Sequence, residues 1–82
     1  EINFNNQVDL YPNPSDDYIK IRYQSILPNS YKIFDLNGRL INSKNINNED
    51  DLEINVGSFD RGLYFISIQS GKNMDNLKFL VK

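Results

Sequence analysis

The stretch YKIFDLNGRLI, residues 31–41, contains two apolar runs on either side of the dipeptide Asn37-Gly38. Asn and Gly both tolerate a positive φ, which the two central residues of a type I′ turn require. The flanking runs are rich in the large and branched side chains that favour β-strands. The stretch therefore predicts a β-hairpin with a two-residue turn at Asn37-Gly38.

Similar patterns continue on both sides of this hairpin. In DYIKIRY, residues 17–23, the alternation places Ile19, Ile21 and Tyr23 on one face of a strand. In LYFISIQS, residues 63–70, apolar side chains fall on both faces, which predicts a central strand that is covered on both sides. Further strands are predicted at 8–11, 52–56 and 77–82.

These patterns predict an all-β fold. Turn residues recur roughly every 8–12 residues, and about seven short strands with this spacing are typical of an immunoglobulin-like antiparallel β-sandwich. No segment keeps the helical period long enough to predict an α-helix, and the chain contains no Ala. With 82 residues, the chain has the length of one domain with one core.

The composition excludes several classes of function. Nine Lys and Arg against eleven Asp and Glu give a net charge of −2, which argues against nucleic acid as a partner because nucleic acid attracts clustered positive charge. No apolar run approaches the roughly 20 residues that span a bilayer. Without His and Cys, the chain lacks the commonest general base and the thiol nucleophile, so we predict no enzyme and no cofactor site.

Two binding functions stay open as alternatives. The segment NNEDDLE, residues 47–53, offers the hard oxygen ligands that Ca²⁺ prefers, and a peripheral stabilising calcium site there is one alternative. The other is a carbohydrate-binding or adhesive module, which needs exposed aromatic side chains. Tyr11, Tyr18 and Tyr31 are the candidates for such exposure.

Two prolines stand just ahead of a predicted strand in LYPNPSDDYIKI, residues 10–21. Pro12 and Pro14 donate no backbone hydrogen bond and restrict the backbone around them, so the segment is stiff. We expect it to end the first strand, to blunt an edge of a sheet and to set the register of 17–23. A stiff surface segment also suits recognition by a partner, because little conformational freedom is lost on binding.

Four motifs occur in order along the chain: LYPNP, the DLNGR hairpin, GLYFISI and a terminal LKFLVK. In this order and spacing they resemble the C-terminal sorting domain (type A, Por secretion) of type IX secretion substrates of Bacteroidota. The resemblance runs from 9 to 82, and we predict a linker remnant at 1–7 and the sorting domain at 8–82. The residues that match the motifs, and are the candidate recognition residues, are Pro12, Asn13, Pro14, Asp35, Gly38, Arg39, Gly62, Tyr64, Lys78 and Lys82.

The resemblance implies a seven-stranded sandwich with no catalytic residue, attached to the end of a cargo protein. It implies recognition by the outer-membrane translocon and its shuttle protein, followed by removal of the domain by a cell-surface sortase. The implied route leads through the periplasm to the cell surface or the medium. Because the chain begins at Glu1 and its only Met is Met74, we expect it to be a piece of a larger protein that carries the cargo upstream.

The predicted last strand, 77–82, can form only if its backbone pairs with a neighbour, so we expect the end of the chain to be docked. We hypothesise that the translocon recognises this folded end, with addition of a strand at a sheet edge as the alternative mode. Gly62 is predicted to adopt a positive φ before its strand, or else to lie against the partner. A sandwich that only spaces or stabilises an enzyme is a third hypothesis for the whole domain.

Overall fold

Seven β-strands and one short 3₁₀ turn make up the part of the chain that the computed structural model describes, residues 8–82. The linker predicted at 1–7 lies outside the described residues. In chain order the elements are β1 (Val8–Tyr11), β2 (Tyr18–Tyr23), β3 (Ser30–Phe34), β4 (Leu40–Asn45), the 3₁₀ turn (Glu49–Leu52), β5 (Glu53–Asn55), β6 (Gly62–Ser70) and β7 (Asn73–Val81).

The strands form two antiparallel sheets, a three-stranded one in the order β1-β2-β5 and a four-stranded one in the order β4-β3-β6-β7. In the constant-type immunoglobulin sandwich the fourth strand lies in the same sheet as the first, second and fifth. Here the short connection 35–39 keeps β4 in a hairpin with β3, so β4 joins the other sheet. The predicted all-β, immunoglobulin-like sandwich of about seven strands is confirmed.

The core lies between the two sheets and follows the predicted alternation. Ile19 and Ile21 of β2 are buried, and so are Leu52, Ile54 and Val56 around β5. Burial of one such aliphatic side chain stabilises the fold by about 1.5–3 kcal/mol relative to its exposure. The other buried apolar side chains are Val8, Leu10, Tyr31, Ile33, Ile46, Tyr64, Ile66, Ile68, Phe79 and Val81.

The β3–β4 hairpin forms as predicted, but the prediction of a two-residue turn at Asn37-Gly38 is wrong. The N–H of Gly38 donates to the carbonyl of Asp35 at 3.0 Å, and the N–H of Asp35 donates to the carbonyl of Arg39 at 3.0 Å, so the loop contains three residues. Gly38 adopts a φ of +82°, as the last residue of a three-residue hairpin loop does. The carboxylate of Asp35 favours this longer loop because it accepts the N–H groups of both Asn37 and Arg39.

A two-residue turn occurs instead between β6 and β7. Ser70 pairs with Asn73, which leaves only Gly71 and Lys72 between the strands, and Gly71 has a φ of +62°. The last strand is therefore longer than the predicted strand at 77–82, since β7 begins at Asn73. Polar residues fit the start of β7 because this end of the strand is accessible on both faces: Asn73 and Asn76 are exposed and Asp75 is only half-buried.

Strand β6 has a central position between β3 and β7, as predicted, but it is not covered on both sides. Tyr64, Ile66 and Ile68 point into the core, whereas Phe65 on the other face is 37% exposed. Among residues 8–82 there is no third layer that covers this outer face, because every strand of the chain belongs to one of the two sheets. The apolar outer residues of β6 therefore lie at the surface.

Two of the three tyrosines predicted to be exposed are exposed. Tyr11 and Tyr18 expose 41% and 43% of their surface, whereas Tyr31 exposes only 3%. The prediction that Tyr31 is exposed is therefore wrong. Tyr31 is buried because it shares the inner face of β3 with Ile33. Within residues 8–82, no helix has the length and apolar character needed to span a membrane.

Candidate functional site

The segment formed by residues 12–15 lies along the outer edge of β7, and we call it the β7 clip. The side-chain oxygen Oδ1 of Asn13 accepts the backbone N–H of Leu80 at 3.0 Å, and its Nδ2 donates to the carbonyl of Lys78 at 3.3 Å. The amide of Asn13 thus bonds β7 as a backbone peptide group of a neighbouring strand would. The peptide bonds Tyr11-Pro12 and Asn13-Pro14 are both cis.

Ser15 completes the β7 clip with its own backbone. Its N–H donates to the carbonyl of Leu80 at 2.9 Å, and its carbonyl accepts the N–H of Lys82 at 2.9 Å. Ser15 and Val81 form a parallel bridge, and Ser15 is 1% exposed. Because the clip connects β1 to β2, it ties the last strand of the four-stranded sheet to the other sheet. The predicted docking of the chain end is confirmed, and the edge that the proline segment covers is that of β7.

The hairpin between β3 and β4 is closed by Asp35. Its Oδ1 accepts the N–H groups of Asn37 and Arg39, each at 2.9 Å, and its Oδ2 lies 3.1 Å from Nε of Arg39. The backbone hydrogen bond from Arg39 is the main reason why the pKa of Asp35 lies below its ordinary value. The side chain of Arg39 stays 77% exposed, so its guanidinium is available to a partner.

Gly62 and Tyr64 build the start of β6. Gly62 has a φ of +147°, which favours glycine, and a Cβ at this position would meet no atom within 4 Å. The backbone conformation therefore explains Gly62, as the turn interpretation predicted. The hydroxyl of Tyr64 donates to the carbonyl of Asp60 at 2.7 Å, like the tyrosine corner of immunoglobulin-type sandwiches.

The ring of Tyr64 lies in a small aromatic cluster. Its centroid is 5.6 Å from that of Phe79 in a stacked arrangement and 5.1 Å from that of Phe59. Pairs of this kind contribute about 0.5–1.5 kcal/mol beyond their area burial. Burial also raises the pKa of the Tyr64 hydroxyl, which keeps it protonated and able to donate.

The structure brings the candidate recognition residues to one end of the four-stranded sheet, where β6 begins and β7 ends. Gly62 pairs with Val81, next to Lys82, and Asp35, Arg39 and Tyr64 line one shallow cleft. We call this region the motif end; it comprises residues 12–15, 35–39, 61–64 and 78–82. Such an arrangement offers a rigid surface of loops and strand ends for recognition.

The motif end also depends on two residues outside the predicted recognition set. Ser15 bonds β7 through its backbone, and Phe79 supports Tyr64 from the neighbouring strand. Alternation in the terminal LKFLVK would have placed Phe79 on an inner face. For Ser15 the sequence carries no such signal, because a buried serine in a loop does not differ from an exposed one in pattern.

The acidic segment 47–53 uses its carboxylates for contacts within the protein. Asp51 accepts the N–H of Asn47 at 2.9 Å and lies 3.2 Å from Nζ of Lys44, and the Asn47 bond is the main cause of its lowered pKa. Glu49 accepts the hydroxyl of Tyr23 at 2.7 Å, which raises the pKa of that tyrosine. In the described part of the chain, no three acidic side chains converge as a calcium site requires.

Tyr11 is not a free aromatic platform for a sugar. The guanidinium carbon of Arg22 lies 5.1 Å from the centroid of its ring, in a cation–π arrangement. Arg22 is held there by an ion pair with Asp9, whose pKa is lowered chiefly by this hydrogen bond. With Tyr31 buried, Tyr18 is the remaining member of the predicted aromatic set that is exposed and is not the ring of this cation–π arrangement.

Comparison with known proteins gives two findings. A family model described as "Secretion system C-terminal sorting domain" matches residues 9–82. The chain is also 36% identical over 67 residues to a protein named Ulvan lyase NLR42 from Nonlabens ulvanivorans. That match covers 80% of this chain and 12% of the relative, so the chain spans about an eighth of the length of the enzyme that it resembles.

Proposed function

The chain belongs to the family of secretion system C-terminal sorting domains, and from this we propose that its motif end is the address by which an attached cargo protein is exported. The domain is a non-catalytic sorting signal of type IX secretion, and the relative named as an ulvan lyase matches it over only 12% of its own length. Fusion to an N-terminal cargo and a secreted or cell-surface fate follow from the family.

The observation that carries the proposal is the gathering of the candidate recognition residues at the motif end. The β7 clip holds the last strand in place through Asn13 and Ser15, while Asp35 and Tyr64 fix the loops beside it. These contacts leave the side chains of Arg39, Lys78 and Lys82 exposed on a preformed surface. A preformed surface binds a partner with little loss of conformational freedom.

In the proposed route the cargo and its sorting domain cross the periplasm together. The outer-membrane translocon and its shuttle protein bind the motif end of the folded domain. A cell-surface sortase then removes the domain from the cargo, which stays at the cell surface or enters the medium. The domain itself supplies no reactive group to these steps, since its part is recognition.

The test is export of a reporter protein fused to residues 1–82 in a Bacteroidota host with a functional type IX system. We expect the reporter at the cell surface or in the medium, and we expect it to stay in the cell when the translocon is inactivated. A second fusion that lacks residues 77–82 should be retained, because it has lost the end of β7 and the partners of the β7 clip.

The outcomes of this experiment distinguish the signal function, recognition of the folded end and the route of export. Retention of the complete fusion in the active host contradicts the proposed function. Export of the complete fusion together with equal export of the shortened one contradicts recognition of the folded end, although the domain would still be a signal. Export of both fusions without the translocon would show that another route carries them.

A further inference from the structure

The outer face of the four-stranded sheet carries a group of exposed and half-buried apolar side chains, which we call the outer apolar band. Its members, one or two from each strand, are Phe34, Leu40, Leu63, Phe65 and Leu80. Leu40 is 51% exposed, Leu80 42% and Phe65 37%. Such contiguous apolar surface on a small domain marks a binding site more often than scattered exposed residues do.

The strand register places these side chains next to one another. Phe34 pairs with Leu40 on one side and with Phe65 on the other, so three strands contribute to one row. Leu63 pairs with Leu80 in the adjacent row. Because alternate residues share a face, this band points away from the core that Ile33, Ile66 and Phe79 enter.

The outer apolar band overlaps the motif end, since Leu63 and Leu80 belong to both. The β7 clip bonds the backbone of Leu80, and Leu63 directly follows Gly62. The contacts that fix the motif end therefore also fix β6 and β7, the two strands that carry three of the five members of the band. A partner that binds the motif end therefore also contacts part of this apolar surface.

The charges on this face have a single sign. The outward-facing residues of the four strands include Lys32 and Lys78 and no Asp or Glu, although the chain as a whole has a net charge of −2. Lys78 pairs with Phe65 within the band, and Lys32 lies one row further along the sheet. A surface of this kind is complementary to an apolar patch that is flanked by carboxylates.

A second copy of the same face is a poor match for this surface. In a twofold symmetric pair each face meets its own image, so lysines would approach lysines without an acidic residue to neutralise them. The two apolar bands could meet only at the cost of this repulsion. Complementarity of charge thus favours a different protein over self-association.

We propose that the outer apolar band, together with Lys32 and Lys78, is a docking surface for a partner protein that presents apolar side chains flanked by carboxylates. The inference rests on the proposed function, because the partner is a component of the export route that recognises the domain. It specifies which face of the domain the partner binds and which side chains the partner's surface presents.

The experiment compares export of the reporter fusion with single substitutions in residues 1–82. Leu80→Gln and Leu40→Gln remove apolar contact area, and Lys78→Glu reverses the charge beside the band. We expect each to reduce export about tenfold, the effect of losing one central interface contact. Met74→Gln is the matched control, since Met74 is 59% exposed on the same face of β7 but at the end away from the band; its export should stay at the wild-type level.

Thermal unfolding of the purified variants and sedimentation of the wild-type domain complete the test. If Leu80→Gln unfolds, Leu40→Gln and Lys78→Glu still test the docking surface, because both sites are exposed and lie on different strands. Wild-type export of folded Leu40→Gln and Lys78→Glu overturns the inference and leaves the proposed function intact. A dimer that Leu80→Gln dissociates and Lys78→Glu preserves also overturns it, since a second copy would then be the occupant. Failure of the unsubstituted fusion to be exported removes the proposed function and this inference together.

Discussion

The side chain of Asn13 binds the backbone of Leu80, 67 residues further along the chain, by accepting its N–H at 3.0 Å. A second bond from the same amide to the carbonyl of Lys78 gives β7 a partner on the edge that faces away from β6. One asparagine between two prolines thereby connects the start of the domain to its end. The motif LYPNP is a structural element as well as a candidate for recognition.

Substitution Asn13→Ala should destabilise the domain by about 0.5–1.5 kcal/mol, because it removes the hydrogen bonds that hold the edge of β7. Urea unfolding of the purified domain measures the loss. Hydrogen exchange at the amide of Leu80 should also become faster, since this group loses its acceptor. Asn76→Ala, on the exposed outer face of the same strand, is the control; if both variants unfold at the same urea concentration, the bonds of Asn13 contribute nothing to stability.

Tyr64→Phe tests the hydroxyl bond to the carbonyl of Asp60 while it preserves the aromatic cluster with Phe59 and Phe79. We expect the free energy of unfolding, measured by chemical denaturation, to fall by about 1 kcal/mol, because the carbonyl of Asp60 loses its donor. Tyr18→Phe removes a hydroxyl from a ring that is 43% exposed and should change stability much less. An equal effect of both substitutions would contradict a role of the Tyr64 hydroxyl in fixing the turn.

Much of the fold could be predicted because each strand shows which residues enter the core. Ile19, Ile21, Ile54 and Val56 alternate with polar residues, and all of them are buried. The prediction that the outer face of β6 is covered was wrong. The sequence shows that Phe65 is apolar, but it does not show whether another layer of the protein covers this side chain. Whether the face is covered depends on whether the chain forms further strands or helices outside the two sheets.

The candidate site could be predicted only as a set of residues. The sequence contains the motifs, but it does not show that Asn13 reaches the backbone of Leu80, since nothing in either residue indicates a contact over 67 positions. The prediction of a two-residue turn at Asn37-Gly38 was wrong for a related reason. The side chain of Asp35 adds hydrogen bonds that favour a three-residue loop over the two-residue turn that the dipeptide alone predicts.

Gly38 tests that corrected loop geometry. Its φ of +82° lies in the left-handed region, so Gly38→Ala should cost about 1–2 kcal/mol, whereas Gly38→Asn should cost less because Asn enters this region more readily. A Cβ at this position meets no atom within 4 Å, so the backbone conformation alone accounts for the expected difference. The free energies of unfolding of the two variants give the measurement, and an Ala variant as stable as the Asn variant would show that the loop relaxes to a negative φ.

Asp35 should make the stability of the domain depend on pH in the acid range. Hydrogen bonds from the backbone of Arg39 and Asn37 lower the pKa of this carboxylate below its ordinary value of 3.8. A carboxylate with a lowered pKa in the folded state contributes stability above the unfolded pKa, and this contribution disappears as the pH falls through the folded pKa. Stability should therefore decrease as the solution is acidified below pH 3.8.

Asp35→Asn removes the titrating group and keeps a side-chain oxygen at the same position. The variant should be less stable than the wild type near neutral pH, and the difference should shrink as acid protonates the wild-type carboxylate. Unfolding curves across the acid range measure this convergence, and an NMR titration of the Asp35 carboxyl carbon gives its pKa directly. Asp9 and Asp51 also have lowered pKa values, so the variant retains part of the acid dependence. A pKa of Asp35 at or above 3.8, or parallel curves for the two proteins, would mean that the carboxylate does not hold the hairpin through its charge.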